Sequence, residues 1–279
     1  MTILVTGASG HVGHAVLEQL LAAGAEVRAS SRDPRAAHLP AGVPVVAADL
    51  TRPETLPTAL DGVARVFLYA QPEGIDGFVQ AARAAGVEQV VFLSSSSVVE
   101  PGAATDPIAQ RHRAVEQALE RSGLAWTFVR PGAFATNALS WARPIRAEGV
   151  VRLPYLRAES APIHEADIAA VAVAALTGET LRDAAPVLTG PESLTRERQV
   201  TLIGAAIGRD VRCVELTPAQ AREGMAASMP PPFVDGLLRL WAATDGVPAT
   251  ISDAVAQITG HPGRSFDVWA RDHAADFRP

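Results

Sequence analysis

With 279 residues, 48% of them apolar, the chain has material for one large or two small domains around a substantial core. A formal charge of −6 argues against a nucleic-acid partner, which needs a basic surface, and the single cysteine excludes an internal disulfide. All 24 basic residues are arginine, which excludes Schiff-base chemistry and a lysine general base.

The elements alternate. Apolar "ILVT" reads as a first strand, and "GASGHVG" opens a helix with Val12, Val16, Leu17, Leu20 and Leu21 on one face, ended by Gly24. "EVRASS", "VPVVAADL" and "RVFLYA" read as strands two to four, and a helix from about Ile75 to Ala85 stops at Gly86. "QVVFLSSSS" is the fifth strand. The helix after it carries Ile108, His112, Val115 and Leu119 on a face expected to point inward, and Gly123 closes it. "AWTFVRPG" is the sixth strand. Strands separated by helices of this length predict a doubly wound parallel sheet covered on both faces.

After about residue 134 the rhythm loosens. "HEADIAAVAVAALT" reads as a helix and "PVLTG" as a strand; a helix runs from Thr195 to about Gly208, followed by the strand "VRCVEL". Thr217, Pro218 and Gln220 form a capping-box start, and "MPPPF" must interrupt any helix. The expected organisation is a dinucleotide-binding core over 1–134 with later elements around 160–190. A smaller, mainly helical substrate-side lobe covers 135–160 and 191–279, roofing the strands' carboxyl ends, where open α/β sheets bind ligands. No apolar run approaches the ~20 residues of a membrane span. Met1 leads straight into a strand without a charged leader, so the expectation is a cytoplasmic protein with no membrane partner.

Gly7, Gly10 and Gly13 give G-x-x-G-x-x-G between the first strand and the first helix, a phosphate-cradling arrangement at a helix N-terminus. Ser9, His11 and Val12 fall in the same loop. "SSRDP" stands where an acidic residue would hold a ribose hydroxyl or an arginine a 2′-phosphate. Arg32, following Ser31, comes before Asp33, which predicts NADP(H) in preference to NAD(H), the latter remaining possible. Asp49, with Leu50, ends the third strand and is placed either to meet the adenine amino group or to cap a loop. Tyr69, Ala70 and Gln71 follow strand four; Ser94 and Ser95 follow strand five, and Pro131 and Gly132 follow strand six. All are candidate cofactor neighbours. His11 and His14 lie three apart without an acidic or cysteine cluster, so no metal is expected.

"ILVTGASGHVG", "SRDP", "VVFLSSSSV", "HRAVEQALERSGLAWTFVRPGAF", "PIHEADIAAVAVAALT" and "LTGPESLT", in that order, resemble the NmrA-like branch of the atypical short-chain dehydrogenase/reductases over residues 1 to about 210. The resemblance implies a Rossmann-type core with bound NAD(P), and either a reductase or a nucleotide sensor without turnover. Catalytic relatives carry a Tyr-x-x-x-Lys pair on the helix after strand five, and those positions here are Ile108 and His112. Ser96 falls at the third catalytic position, and His112 is assigned to the cofactor ribose or to proton transfer. Tyr155 in "RLPYLR" is the remaining candidate phenol donor. His164 and Asp167 are expected to fix the turn into their helix.

Without the Tyr/Lys pair, the expected activity is NAD(P)H-dependent reduction of a small, flat, mostly apolar acceptor such as a quinone or an activated enone. Trp241, Phe233, Met225 and Met229 are candidate pocket residues, though such side chains also build plain cores. The alternatives are a redox-sensing regulator, which alone would need a protein partner, and a non-redox isomerase or cyclase holding its cofactor.

Overall fold

The computed structural model describes every residue except His38, Ala70, Gln71 and Pro279. Two compact units divide the chain: residues 1–131, 165–188 and 254–261 form the first, and 132–164, 189–253 and the C-terminal segment from 262 form the second.

In chain order the first unit begins with β1 (Thr2–Val5), α1 (His11–Ala22), β2 (Glu26–Ser31), β3 (Val45–Ala47), α2 (Leu56–Leu60) and β4 (Val63–Leu68). It continues with α3 (Ile75–Ala84), β5 (Gln89–Leu93), α4 (Pro107–Glu120) and β6 (Ala125–Pro131). The second unit holds α5 (Ala142–Glu148), β7 (Val150–Leu153) and β8 (Glu159–Ser160). α6 (Glu165–Thr177) and β9 (Val187–Leu188) belong to the first unit. β10 (Leu194–Thr195), α7 (Arg196–Ile207), β11 (Arg212–Glu215), α8 (Pro218–Ala226) and α9 (Pro231–Ala243) belong to the second. α10 (Ala254–Thr259) packs on α6 in the first unit; α11 (Phe266–Asp272) and α12 (Ala274–Phe277) complete the second.

The seven-stranded sheet runs β3-β2-β1-β4-β5-β6-β9, and every pairing in it is parallel. Strand order reverses between β1 and β4, the switch point at which such sheets bind ligands. Register aligns Ala29, Val5, Phe67, Val91 and Thr127 in one row. Residues a few places further along these strands therefore emerge at one edge: Gly7, Arg32 and Tyr69. Thr6 ties that edge together, its hydroxyl donating to Phe67 O at 3.0 Å and accepting from Tyr69 N at 2.8 Å.

Core residues Leu4, Val66, Phe78, Phe92, Leu119 and Phe128 are all buried in the first unit. Arg65, also buried, donates to Leu176 O and Gly178 O at the end of α6 and pairs with Glu179, so a cation answers the helix's unpaired carbonyls. The second unit has its own core around Ile145, Val151, Ile203, Phe266, Trp269 and Phe277. Its short sheets pair β10 antiparallel with β8 and β11 parallel with β7.

Three expected boundaries are corrected. β3 stops at Ala47, not at Asp49, because the Asp49 carboxylate accepts from the Thr51 amide and hydroxyl and turns the chain. β5 stops at Leu93, because the Ser95 hydroxyl accepts from Ser97 N and starts a 3-10 turn over Ser96–Val99. The inward face of α4 does not include Ile108, which is 37% exposed. Ala109, Val115, Glu116 and Leu119 are the buried positions. The capping box of α8 forms as expected, and the prolines after Met229 open α9.

Candidate functional site

The glycine loop divides its work among three positions. Gly7 has φ +64, and a Cβ there would lie 3.0 Å from Tyr69 Cβ. At Gly13 a Cβ would lie 2.2 Å from Gly7 O, so this glycine lets α1 seat against the loop. A Cβ on Gly10 would meet only Gly7 O, at an ordinary 3.4 Å, and would otherwise project into open space. Gly7, Ser9, Gly10 and His11 are exposed, Val12 and Gly13 buried. No side chain caps the N-terminus of α1. A bare backbone surface at the positive end of a 12-residue helix fits the pyrophosphate of a dinucleotide.

After β2, Ser31 and Asp33 bond to each other: the Ser31 hydroxyl donates to Asp33 O at 2.9 Å and accepts from Asp33 N at 3.2 Å. Asp33 Oδ1 accepts from Arg35 N at 3.0 Å. These bonds hold the turn and leave Arg32 exposed, without an ion pair among the described residues. The Thr51 bonds to the Asp49 carboxylate, reinforced by the charge of Arg32, hold its pKa below the ordinary carboxylate value. The backbone of half-buried Leu50 runs close against Gly74 (φ +90), where a Cβ would fall 1.9 Å from Leu50 O. Tyr69 is 49% exposed beside Gly7; Ala70 and Gln71 lie outside the described residues.

The serine run behaves less uniformly than its sequence suggests. Ser94 is buried, and its hydroxyl donates to Glu116 Oε1 at 2.7 Å, so it faces α4 and not the sheet edge. Ser95 caps the 3-10 turn. The Ser96 hydroxyl has no partner among the described residues, and Ser97 Oγ is buried without one.

His112 is half-buried, its ring 6.1 Å from that of Phe92. Nδ1 lies 2.8 Å from Ile108 O. A carbonyl only accepts, so Nδ1 carries the hydrogen and Nε2 of the neutral ring is an acceptor. Burial holds the imidazole pKa below its ordinary value, favouring that neutral form. In that tautomer Nε2 is an acceptor, and the ring donates through it only when protonated.

One turn along α4, Glu116 is fully buried and was missed as a functional element. Arg130 grips it through Nε to Oε1 and Nη2 to Oε2, both at 2.8 Å, and Arg113 adds a contact at 3.1 Å. Ser94, Glu116 and Arg130 thus lock β5, α4 and β6 together. A buried carboxylate has little sequence signature, since Glu normally faces water.

Pro131 ends β6, and Gly132 begins the second unit. In that unit Tyr155 has φ +52 and packs with Leu216, Met225, Met229 and Trp241 against Ala221, Val234 and Leu238. Phe233 is half-buried nearby in sequence but lies outside that cluster. His164 is buried with Nε2 3.3 Å from Asp272 Oδ2, and His14 Nε2 lies 3.4 Å from Glu18. Among the described residues no three acidic, histidine or cysteine side chains gather as a metal site, and no helix is long and apolar enough to cross a membrane.

A family model described as NAD(P)H-binding matches residues 7–179. The chain belongs to that family. It is 41% identical, over 99% of both chains, to the (4-alkanoyl-5-oxo-2,5-dihydrofuran-3-yl)methyl phosphate reductase of Streptomyces griseus. It is 38% identical, again over 99% of both, to the NAD(P)H azoreductase of Xenophilus azovorans. The NADPH-dependent quinone oxidoreductase of Escherichia coli superposes with a TM-score of 0.79 at 26% identity, covering 98% of this chain and 99% of that one. These neighbours are reductases of the atypical short-chain type, so the resemblance read from the motifs holds.

Proposed function

We propose that the protein is an NADPH-preferring reductase of small, flat, mostly apolar acceptors such as quinones or activated enones. The observation that carries this reading is the state of α4: the phenol position is the exposed Ile108, and the position after one turn is a neutral imidazole whose Nδ1–H is held by Ile108 O and whose Nε2 accepts. Such a site orients but supplies no strong acid, which suits acceptors that need little protonation in the rate-limiting step. NADPH, when bound, supplies the hydride; the accompanying proton comes from solvent, and the acceptor gains two electrons in all. The relatives' names describe reduction of a dihydrofuranone methyl phosphate and of azo compounds.

Gly7, Gly10 and the first turn of α1 take the pyrophosphate, with Ser9, His11, Val12 and Gly13 beside it. Arg32 takes the 2′-phosphate, with Ser31 shaping its turn. Asp49 and Leu50 border the adenine, and Tyr69, Ser95, Ser96, Pro131 and Gly132 line the nicotinamide side. His112 Nε2 accepts from a ribose hydroxyl and so fixes the ring.

The test is purified protein with NADPH and a panel of quinones, azo dyes and enones, followed by loss of the reduced nicotinamide absorbance. Oxidation with at least one acceptor, and a lower KM for NADPH than for NADH, is the expected result. Tight nucleotide binding with no oxidation by any acceptor would establish a sensor instead.

A further inference from the structure

Arg196 is the first residue of α7 and is 8% exposed. Its guanidinium lies over Trp241, with Cζ 3.9 Å from the ring centroid. Nη1 donates to Pro154 O at 2.7 Å. Nε and Nη2, which together make the side-on fork of a guanidinium, have no acceptor among the described residues, and no carboxylate pairs with the group.

A buried charge without a partner is costly, and proteins seldom keep one idle. Other arginines of this chain have a carboxylate: Arg65, also buried, pairs with Glu179 and two carbonyls although its Nε is left without a partner, and the half-buried Arg130 closes on Glu116 through that same Nε/Nη2 fork. Arg196 sits, moreover, at the positive end of a 12-residue helix, where the dipole disfavours a cation and adds to the pull on an anion. Burial lowers its pKa to about 10, so it remains charged at neutral pH. The nearby Cys213 cannot be the counter-ion, because burial raises its thiol to about 11 and keeps it neutral.

We infer that Arg196 and Trp241 form an anion site within the second unit, which takes a flat conjugated molecule bearing an oxyanion. The fork of Arg196 receives two oxygens of a carboxylate, sulfonate or phosphate, the geometry for which a planar guanidinium is suited. The apolar body lies against the Trp241 and Tyr155 cluster, whose thioethers, Met225 and Met229, adapt to different outlines. This inference rests on the reductase reading and narrows its substrate class.

The experiment compares 1,4-naphthoquinone with 1,4-naphthoquinone-2-sulfonate, by NADPH oxidation and, without turnover, by calorimetric titration. The parent protein is expected to prefer the sulfonate by about tenfold or more in KM and in Kd. Arg196→Gln should bring the ratio between the two quinones close to one. Arg196→Lys, which keeps the charge but not the fork, should fall between. Equal affinity of the parent for both compounds overturns the subsite, whatever the variants do. A sulfonate preference that survives in folded Arg196→Gln also overturns it. Should Arg196→Gln not fold, an Arg196→Lys protein with the parent's undiminished preference counts against the fork. Sulfonate binding that depends on Arg196, with neither quinone turned over, supports the subsite and removes the reductase reading on which it was placed.

Discussion

Two arginines present the same fork in two different settings. In the first unit Arg130 closes Nε and Nη2 on the fully buried Glu116, with Ser94 and Arg113 completing the carboxylate's partners. In the second unit Arg196 is as well hidden from water, yet it faces one carbonyl and an indole. A closed pair of this kind adds rigidity and uniqueness to a scaffold; an open fork costs stability and earns its place through recognition. The difference separates residues that hold the fold from residues that await a ligand.

The largest effect belongs to the closed pair. Glu116→Ala strands Arg130 and Ser94, and should cost about 3–5 kcal/mol in denaturant unfolding. Arg196→Gln should stay within about 1 kcal/mol of the parent, because removing an unanswered charge offsets the lost carbonyl bond. A loss below about 1 kcal/mol for Glu116→Ala would make the pair no better than a surface ion pair and erase the contrast.

The glycine loop repeats the distinction within one motif. Gly10→Val should leave melting behaviour close to that of the parent while NADPH affinity falls by about a hundredfold or more, since its side chain enters the space where backbone must meet phosphate. Gly13→Ala should instead lower stability by about 1–3 kcal/mol, as its Cβ meets Gly7 O at 2.2 Å. Calorimetry and thermal melts on the pair of variants decide. Unchanged NADPH affinity in folded Gly10→Val would mean that the glycines serve packing alone.

Much of this was legible in the chain. Alternating apolar runs and glycine stops give strands β1, β2, β4, β5 and β6 with their helices, because period and punctuation are local properties. The motif at Gly7–Gly13 and the turn at Arg32 are local too. Burial of charge is not. Nothing in "HRAVEQ" distinguishes Glu116 from a solvated helix residue, since its partners lie on β5 and β6. Ile108 looked inward because a helical repeat fixes a face but not which neighbour covers its first turn. Arg196 did leave a trace: an arginine directly after the N-cap Thr195 opposes the helix dipole. That its fork lacks a counter-ion is visible only in three dimensions.

Arg32 extends the recognition side of the comparison to the nucleotide. Arg32→Ala should weaken NADPH by about ten- to a hundredfold, NADH by little, and leave stability unaltered, since the side chain is exposed and unpaired among the described residues. Parallel titrations of both nucleotides provide the check. Equal weakening of the two, or tighter NADH binding by the parent, would contradict the assignment.

His112 straddles the line, and the smallest effect is predicted there. Its Nδ1–H is spent on Ile108 O as a scaffold bond, which leaves Nε2 as the acceptor of the neutral ring. His112→Gln should keep appreciable turnover, because an amide can still present an acceptor; His112→Leu should lose both nucleotide affinity and rate. An essential proton donor would leave both variants equally dead, with the parent's rate tracking a single ionisation. The stability of the fold carries a second signature. Burial places the folded pKa below the ordinary 6.5, so as pH falls the unfolded chain binds the proton first. The neutral ring's contribution is therefore whole above that value and is lost as pH drops through it toward the folded pKa. Between about pH 7 and pH 5 the parent should lose slightly more stability than His112→Gln, which cannot take up that proton. Identical pH slopes for parent and variant would show that the imidazole is no more buried in solution than an exposed histidine, and its fixed orientation toward a ribose would go with it.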